Sequence, residues 1–199
     1  MPTFRWSSLF LLSLTLHLSV STSHADWLVT PFVGGALASR TTLIDLERAP
    51  SATRPLFGVS GGWLSDGILG LEGSLVYSPG FFQRPNTLLV GSHLRMASGA
   101  ITLAAPLGLT RESLRPYLTV GVGSVHVALE DVLGLFTQSR TMPALVLGGG
   151  ALGFVSRRTG VRFDIRQVQS LDRVPNPLTA ATETSLRFWQ ASVGIALRY

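Results

Sequence analysis

Residues 185–199 read SLRFWQASVGIALRY. Counting back by twos from the last residue gives Tyr199, Leu197, Ile195, Val193, Ala191 and Trp189, every one apolar. The residues between them, Arg198, Ala196, Gly194, Ser192, Gln190 and Phe188, are mostly small or polar. A period of two makes this a strand with two unlike faces. Segments of about ten residues with that alternation are what a tilted strand needs to cross a bilayer. How this stretch is read therefore decides whether the chain is a sheet in water or a closed sheet in lipid.

The same pattern recurs upstream. Val161, Phe163 and Ile165 share one face of a strand, and Arg162, Asp164 and Arg166 share the other. Charges of both signs at alternate positions of a membrane strand have a place only inside a closed barrel. There an unpaired ion costs several kcal/mol, so the charges must find partners. Glu72, Arg95, Arg115 and Arg187 are the candidate partners, and the expected interior network is Glu72, Arg162, Asp164, Arg166 and Arg187.

Strands are expected over 27–37, 55–64, 68–78, 115–128, 143–156, 160–170 and 185–199. One more lies within 88–107 and is placed at about 95–107, with Val90 to Leu94 left to the preceding loop. Splitting that stretch in two would make the strand number odd, whereas a single-chain bacterial barrel has an even one. The Asp66-Gly67 pair marks a tight hairpin turn. Long connections at 38–54, 79–94, 129–142 and 171–184 alternate with shorter ones at 65–67, 108–114 and 157–160. Membrane barrels alternate in this way, with short turns on the periplasmic side and long loops outside. The fold expected is all-β, an eight-stranded antiparallel up-and-down transmembrane β-barrel. Glycine on both faces of GVSGGWL and VLGGGALG permits the curvature of a small barrel. Trp63, Trp189, Tyr117, Tyr199 and Phe154 lie near strand ends, where aromatic girdles form, with plain packing as the alternative.

Composition bounds the rest. The first 25 residues hold one arginine, Arg5, then an apolar run from Leu9 to about Val20, then Ser23-His24-Ala25. That is the layout of a secretory signal peptide cut after Ala25, leaving 26–199 as the barrel domain. Cysteine is absent, so disulfides and thiolate metal sites are excluded. All 16 basic residues are arginine and the formal charge is +5. They are scattered, which argues against a nucleic-acid patch.

On these features the chain resembles the small outer-membrane β-barrel families of the type exemplified by the OmpA membrane domain. RPYLTVGVGSVHV (115–127) is similar to a glycine-rich strand of that group, and the alternation ending in Tyr199 resembles the signal read by the barrel assembly machinery. The resemblance implies a bacterial outer-membrane location. It also implies partnership with outer-membrane lipid, lipopolysaccharide and the assembly machinery, and a C-terminal assembly signal at Val193, Ile195, Leu197 and Tyr199.

Few residues carry chemistry. Ser124, His126, Glu130 and Asp131 contain the groups of a hydrolytic triad. The lipid A deacylase barrels they would suggest carry a His-x-Ser-Asn stretch near the C-terminus, which this chain lacks. His93 and His126 have no metal-ligand spacing. Arg84, Arg140 and Arg173, together with the arginines of 41–54, could contact lipid phosphates. The expectation is a monomeric, non-enzymatic platform with no cofactor and no open pore, interacting through its outer loops. The alternatives are a soluble periplasmic barrel carrying a small apolar ligand, and a lipid-modifying hydrolase using His126.

Overall fold

Alternating segments of this kind leave backbone groups unpaired at every free edge, and closing the sheet on itself removes the edges. The computed structural model describes residues 25–41, 53–81, 89–110, 114–131, 137–171 and 186–199. Its strands are β1 (Ala25–Thr41), β2 (Arg54–Ser65), β3 (Leu69–Pro79), β4 (Leu89–Ala104), β5 (Arg115–Asp131), β6 (Thr137–Phe154), β7 (Thr159–Ser170) and β8 (Leu186–Arg198). Each pairs antiparallel with the next in sequence, and β8 returns to β1, giving a closed eight-stranded barrel. The expected fold and strand number are those observed.

The register fixes the stagger of the sheet. Following paired residues around the wall from Trp27 leads through Trp63, Leu71, Ile101, Val120, Leu147, Gln167 and Trp189 to Leu37. The circuit closes ten residues further along β1 than it began. Such a stagger requires tilted strands, and an eight-stranded barrel with it has an interior that side chains just fill.

Several strands differ in extent from expectation. β4 begins at Leu89 and ends at Ala104, so Val90 to Leu94 are in the wall and 107–110 form a short helical turn. The pairing of β4 with β5 explains this: Leu94 meets Val127 and Gly91 meets Glu130, so β5 carries β4 upward with it. β5 and β6 likewise extend to Asp131 and Thr137, leaving 132–136 as their connection instead of 129–142. Arg140 therefore belongs to a strand and not to a loop. The strand ends joined by 42–53, 80–88, 132–136 and 171–185 lie at one rim, and those joined by 66–68, 105–114 and 155–158 at the other. Gly80 adopts φ 64° as the chain leaves β3, a conformation that glycine takes without strain. The stretch through His24 expected to be a signal peptide, Arg84, Arg173 and the 42–52 stretch lie outside the described residues.

The two faces of the wall are unlike. Outward positions include Trp27, Val29, Val33, Phe57, Leu71, Leu75, Ile101, Leu118, Val120, Val122, Phe163 and Ile195, all exposed. No helix among the described residues is long and apolar enough to cross a membrane, so any crossing would be made by strands.

Candidate functional site

The lumen is built in three layers. Toward the rim of shorter connections lie Leu28, Leu64, Ala104, Tyr117, Leu152 and Ala196, with Phe154 packed against them. Toward the opposite rim lies a larger apolar cluster that includes Leu56, Leu94, Met142, Val168, Leu186 and Phe188, with Phe81 edge-on to Phe188 at 5.2 Å. Between them sits a charged layer. The order can be followed on β7, where Arg162, Asp164 and Arg166 precede Val168 of the large cluster. Sequence reading expects small or polar residues throughout the interior, yet large apolar side chains pack into it toward both rims. Alternation marks which residues share a face, but it does not show how several strands combine their inward residues.

Glu72, from β3, holds the charged layer together. Arg162 Nη2 donates to its Oε2 at 2.5 Å and Arg166 Nη2 to its Oε1 at 2.7 Å. Asp164 lies between the two arginines on their own strand. Arg162 Nε is 2.7 Å from its Oδ2, and Arg166 donates to its Oδ1 through Nε at 3.1 Å and Nη2 at 3.0 Å. Two positive and two negative groups cancel, and all four residues are buried. Arg162 Nε also donates to Tyr117 Oη at 2.7 Å, with the guanidinium 4.7 Å from the ring centroid. Tyr117 lies along the wall across β6 to reach β7, because its partner on β6 is Gly150, where a Cβ would collide with the Phe163 carbonyl and the tyrosine hydroxyl. Such a layer rigidifies an interior in which every charge has a partner, and that is its evident chemistry.

Four of the five expected network residues thus meet, and Arg187 does not join them. Its neighbours Leu186 and Phe188 are buried, so the alternation that turns Trp189 outward turns Arg187 outward as well. Arg95 is outward for the same reason, between buried Leu94 and Met96. Arg115 is inward but apart from the network. Its Nε donates to the Ala105 carbonyl at 2.7 Å, and its Nη2 to the carbonyls of Ser65 at 2.7 Å and Gly67 at 2.5 Å. One guanidinium thereby ties the β2–β3 turn to the β4–β5 connection. Arg115→Ala is expected to lower stability by roughly 1.5–3 kcal/mol, the value of hydrogen bonds made by a charged group. Urea unfolding of the two proteins in lipid vesicles measures it, and equal midpoints would refute the tie. Arg115 has no alternation signature, because its partners are backbone carbonyls of turns.

Among the expected aromatics, Trp63, Trp189 and Tyr199 face outward, while Tyr117 and Phe154 face the lumen. Arg198 lies 4.6 Å over the Phe154 ring and pairs with Asp26 at 3.2 Å across the β1–β8 seam. Val193 and Ile195 are outward and exposed, and Leu197 and Tyr199 continue that face. His126 faces outward too, with Nδ1 2.8 Å from Thr141 Oγ1 and no carboxylate bonded to it among the described residues. Among those residues no group of three metal-ligating side chains forms.

No protein-family model and no curated protein matches the chain. Solved structures are similar in fold. Neisserial surface protein A superposes with a TM-score of 0.64 at 14% identity, over 88% of this chain and 99% of that one. The outer membrane protein OprG of Pseudomonas aeruginosa gives 0.58 at 11%, over 89% and 97%. Ail, the attachment invasion locus protein of Yersinia pestis, gives 0.54 at 11%, over 88% and 98%. With its closed antiparallel wall, its apolar exterior and this likeness over most of its length, the chain has the fold of the small eight-stranded outer-membrane β-barrels.

Proposed function

We propose that the protein spans a bacterial outer membrane as a closed, non-conducting barrel and serves as a non-enzymatic platform for interactions at its long-connection rim. The observation that carries this reading is the exterior. On β1 the outward positions run from Trp27 to Leu37 without a charge, the length that a tilted strand needs for the hydrocarbon core. Outward Trp27 and Trp63 stand toward one rim, and Phe57, Tyr77 and Trp189 toward the other, as interfacial aromatics do. A soluble ligand carrier would need a wet exterior and a cavity in the lumen. Here the wall is apolar outside, and the lumen is filled by ions in the middle and apolar side chains at both ends. A pore is disfavoured by the same filling.

Fractionation of cells expressing the full chain, followed by gels with and without boiling, tests the reading. A membrane-fraction protein whose mobility changes on heating is the expected result. A soluble periplasmic protein would overturn it. The outward face of β8, with Val193, Ile195, Leu197 and Tyr199, is the segment for the assembly machinery to engage. Tyr199→Ser is expected to lower the heat-shifted fraction in cells severalfold while leaving refolding of purified protein into vesicles unchanged. Equal fractions in cells would remove that role from Tyr199. Attachment through the loops is the role suggested by the name of one structural neighbour, the attachment invasion locus protein. Retention of cell binding after the 42–53 and 171–185 connections are shortened together would count against it.

A further inference from the structure

The apolar exterior is interrupted on three adjacent strands at one level. Arg95 on β4 is paired in register with His126 on β5, and His126 with Thr141 on β6. All three point away from the lumen, since Leu94, Met96, Val125, Val127 and Met142 beside them are buried inside. Across the other side of Arg95 stands outward Tyr77. Below them on the same face come Leu75, Val122 and Ile101, so the group marks the end of the apolar belt nearest the long connections.

Arg95 is exposed and makes no hydrogen bond or ion pair among the described residues. His126 is held by Thr141, whose hydroxyl in one tautomer donates to Nδ1 and leaves Nε2–H free. The nearest acidic residues along β5 are Glu130 and Asp131, the first of them about 13 Å further up the strand at its usual rise. Two nitrogen donor groups on neighbouring strands therefore face sideways, and among the described residues no carboxylate is bonded to either.

We propose that Arg95 and His126 form a clamp for the phosphate monoester of a lipid headgroup in the leaflet at the long-connection rim. The inference rests on the outer-membrane reading above and adds to it a ligand and two residues. Direction selects the ligand: a donor that points sideways from a membrane wall, beside an aromatic girdle, meets headgroups and neither lumen nor loop. The chemistry selects phosphate. The guanidinium fork matches two phosphate oxygens, and the imidazole Nε2–H offers a donor to the third. A monoester has three free oxygens for these donors, whereas the diester of an ordinary phospholipid has two.

The test uses the full-length protein in nanodiscs of phosphatidylcholine, scored only on samples that show the heat-shifted band. The His126 ring resonance is followed as the discs are doped with monophosphoryl lipid A, with the same glycolipid lacking phosphate, or with inorganic phosphate in solution. The expected result is a saturable shift with the phosphorylated lipid alone. Arg95→Ala should weaken it about tenfold, the loss of a charge-assisted bidentate pair, and Arg95→Lys by less. An unchanged midpoint in Arg95→Ala would overturn the clamp, as would an equal shift with the dephosphorylated lipid. Saturation by inorganic phosphate at the same concentration would assign the site to a soluble anion and overturn the lipid. Absence of the heat-shifted band in the wild type would instead bring down the membrane reading itself.

Discussion

Replacing Glu72 by alanine is expected to destabilise the barrel by about 3–5 kcal/mol, the cost of removing one partner from a buried ion pair. Glu72 accepts from both Arg162 and Arg166, so its loss leaves two guanidinium groups facing the single carboxylate of Asp164. The excess positive charge sits buried between two apolar clusters. Glu72→Gln keeps the shape and loses only the charge, so it should cost less. Removing Arg166 together with Glu72 restores neutrality, since Arg162 and Asp164 then form a simple pair. The double variant is accordingly expected to be more stable than the sum of the single losses by about 0.5–3 kcal/mol. Urea unfolding in lipid vesicles, followed by tryptophan fluorescence, gives all four corners of the cycle. A Glu72→Ala protein within about 1 kcal/mol of wild type would mean that the layer is wet, against the burial described.

The second large effect lies outside the wall. Val120 is 44% exposed on the outward face of β5, in register with Ile101 and Leu147 and midway along the apolar belt. Val120→Arg is expected to cost about 2–4 kcal/mol in a bilayer, the penalty for arginine at the midplane of a membrane barrel. Leu109, 80% exposed in the short helix beyond β4, provides the contrast. There arginine meets water, and Leu109→Arg should change stability by no more than about 0.5 kcal/mol. The two substitutions add the same charge to exposed leucine-like positions, so only the surrounding medium separates them. Equal tolerance of both would show that the exterior faces water and would favour the soluble carrier.

Arg162, Asp164 and Arg166 were legible as a group because they alternate within one strand, and period two leaves them no other common face. Glu72 was legible as their partner because an acidic residue in an apolar strand needs a cation. Charge alone places Arg187 in the network, although its spacing from Trp189 turns it outward. Arg115 was legible only as a candidate ion-pair partner, since its true acceptors are the carbonyls of Ser65, Gly67 and Ala105, which any sequence supplies. The Arg95–His126 pair was equally silent. The residues are 31 positions apart, and only the register of β4 on β5 makes them neighbours.

What the sequence determined by itself was local and periodic: strand identity, the face on which each side chain lies, and the need for closure. These follow from backbone geometry, in which Cβ atoms alternate and unpaired edges are costly. What the tertiary structure decided was everything that depends on stagger. The ten-residue climb around the wall places Trp27 and Leu37 in one row, stacks the lumen into ionic and apolar layers, and sets Arg95 beside His126. Stagger is a property of the closed sheet as a whole, summed over eight strand pairings, and no single segment carries it.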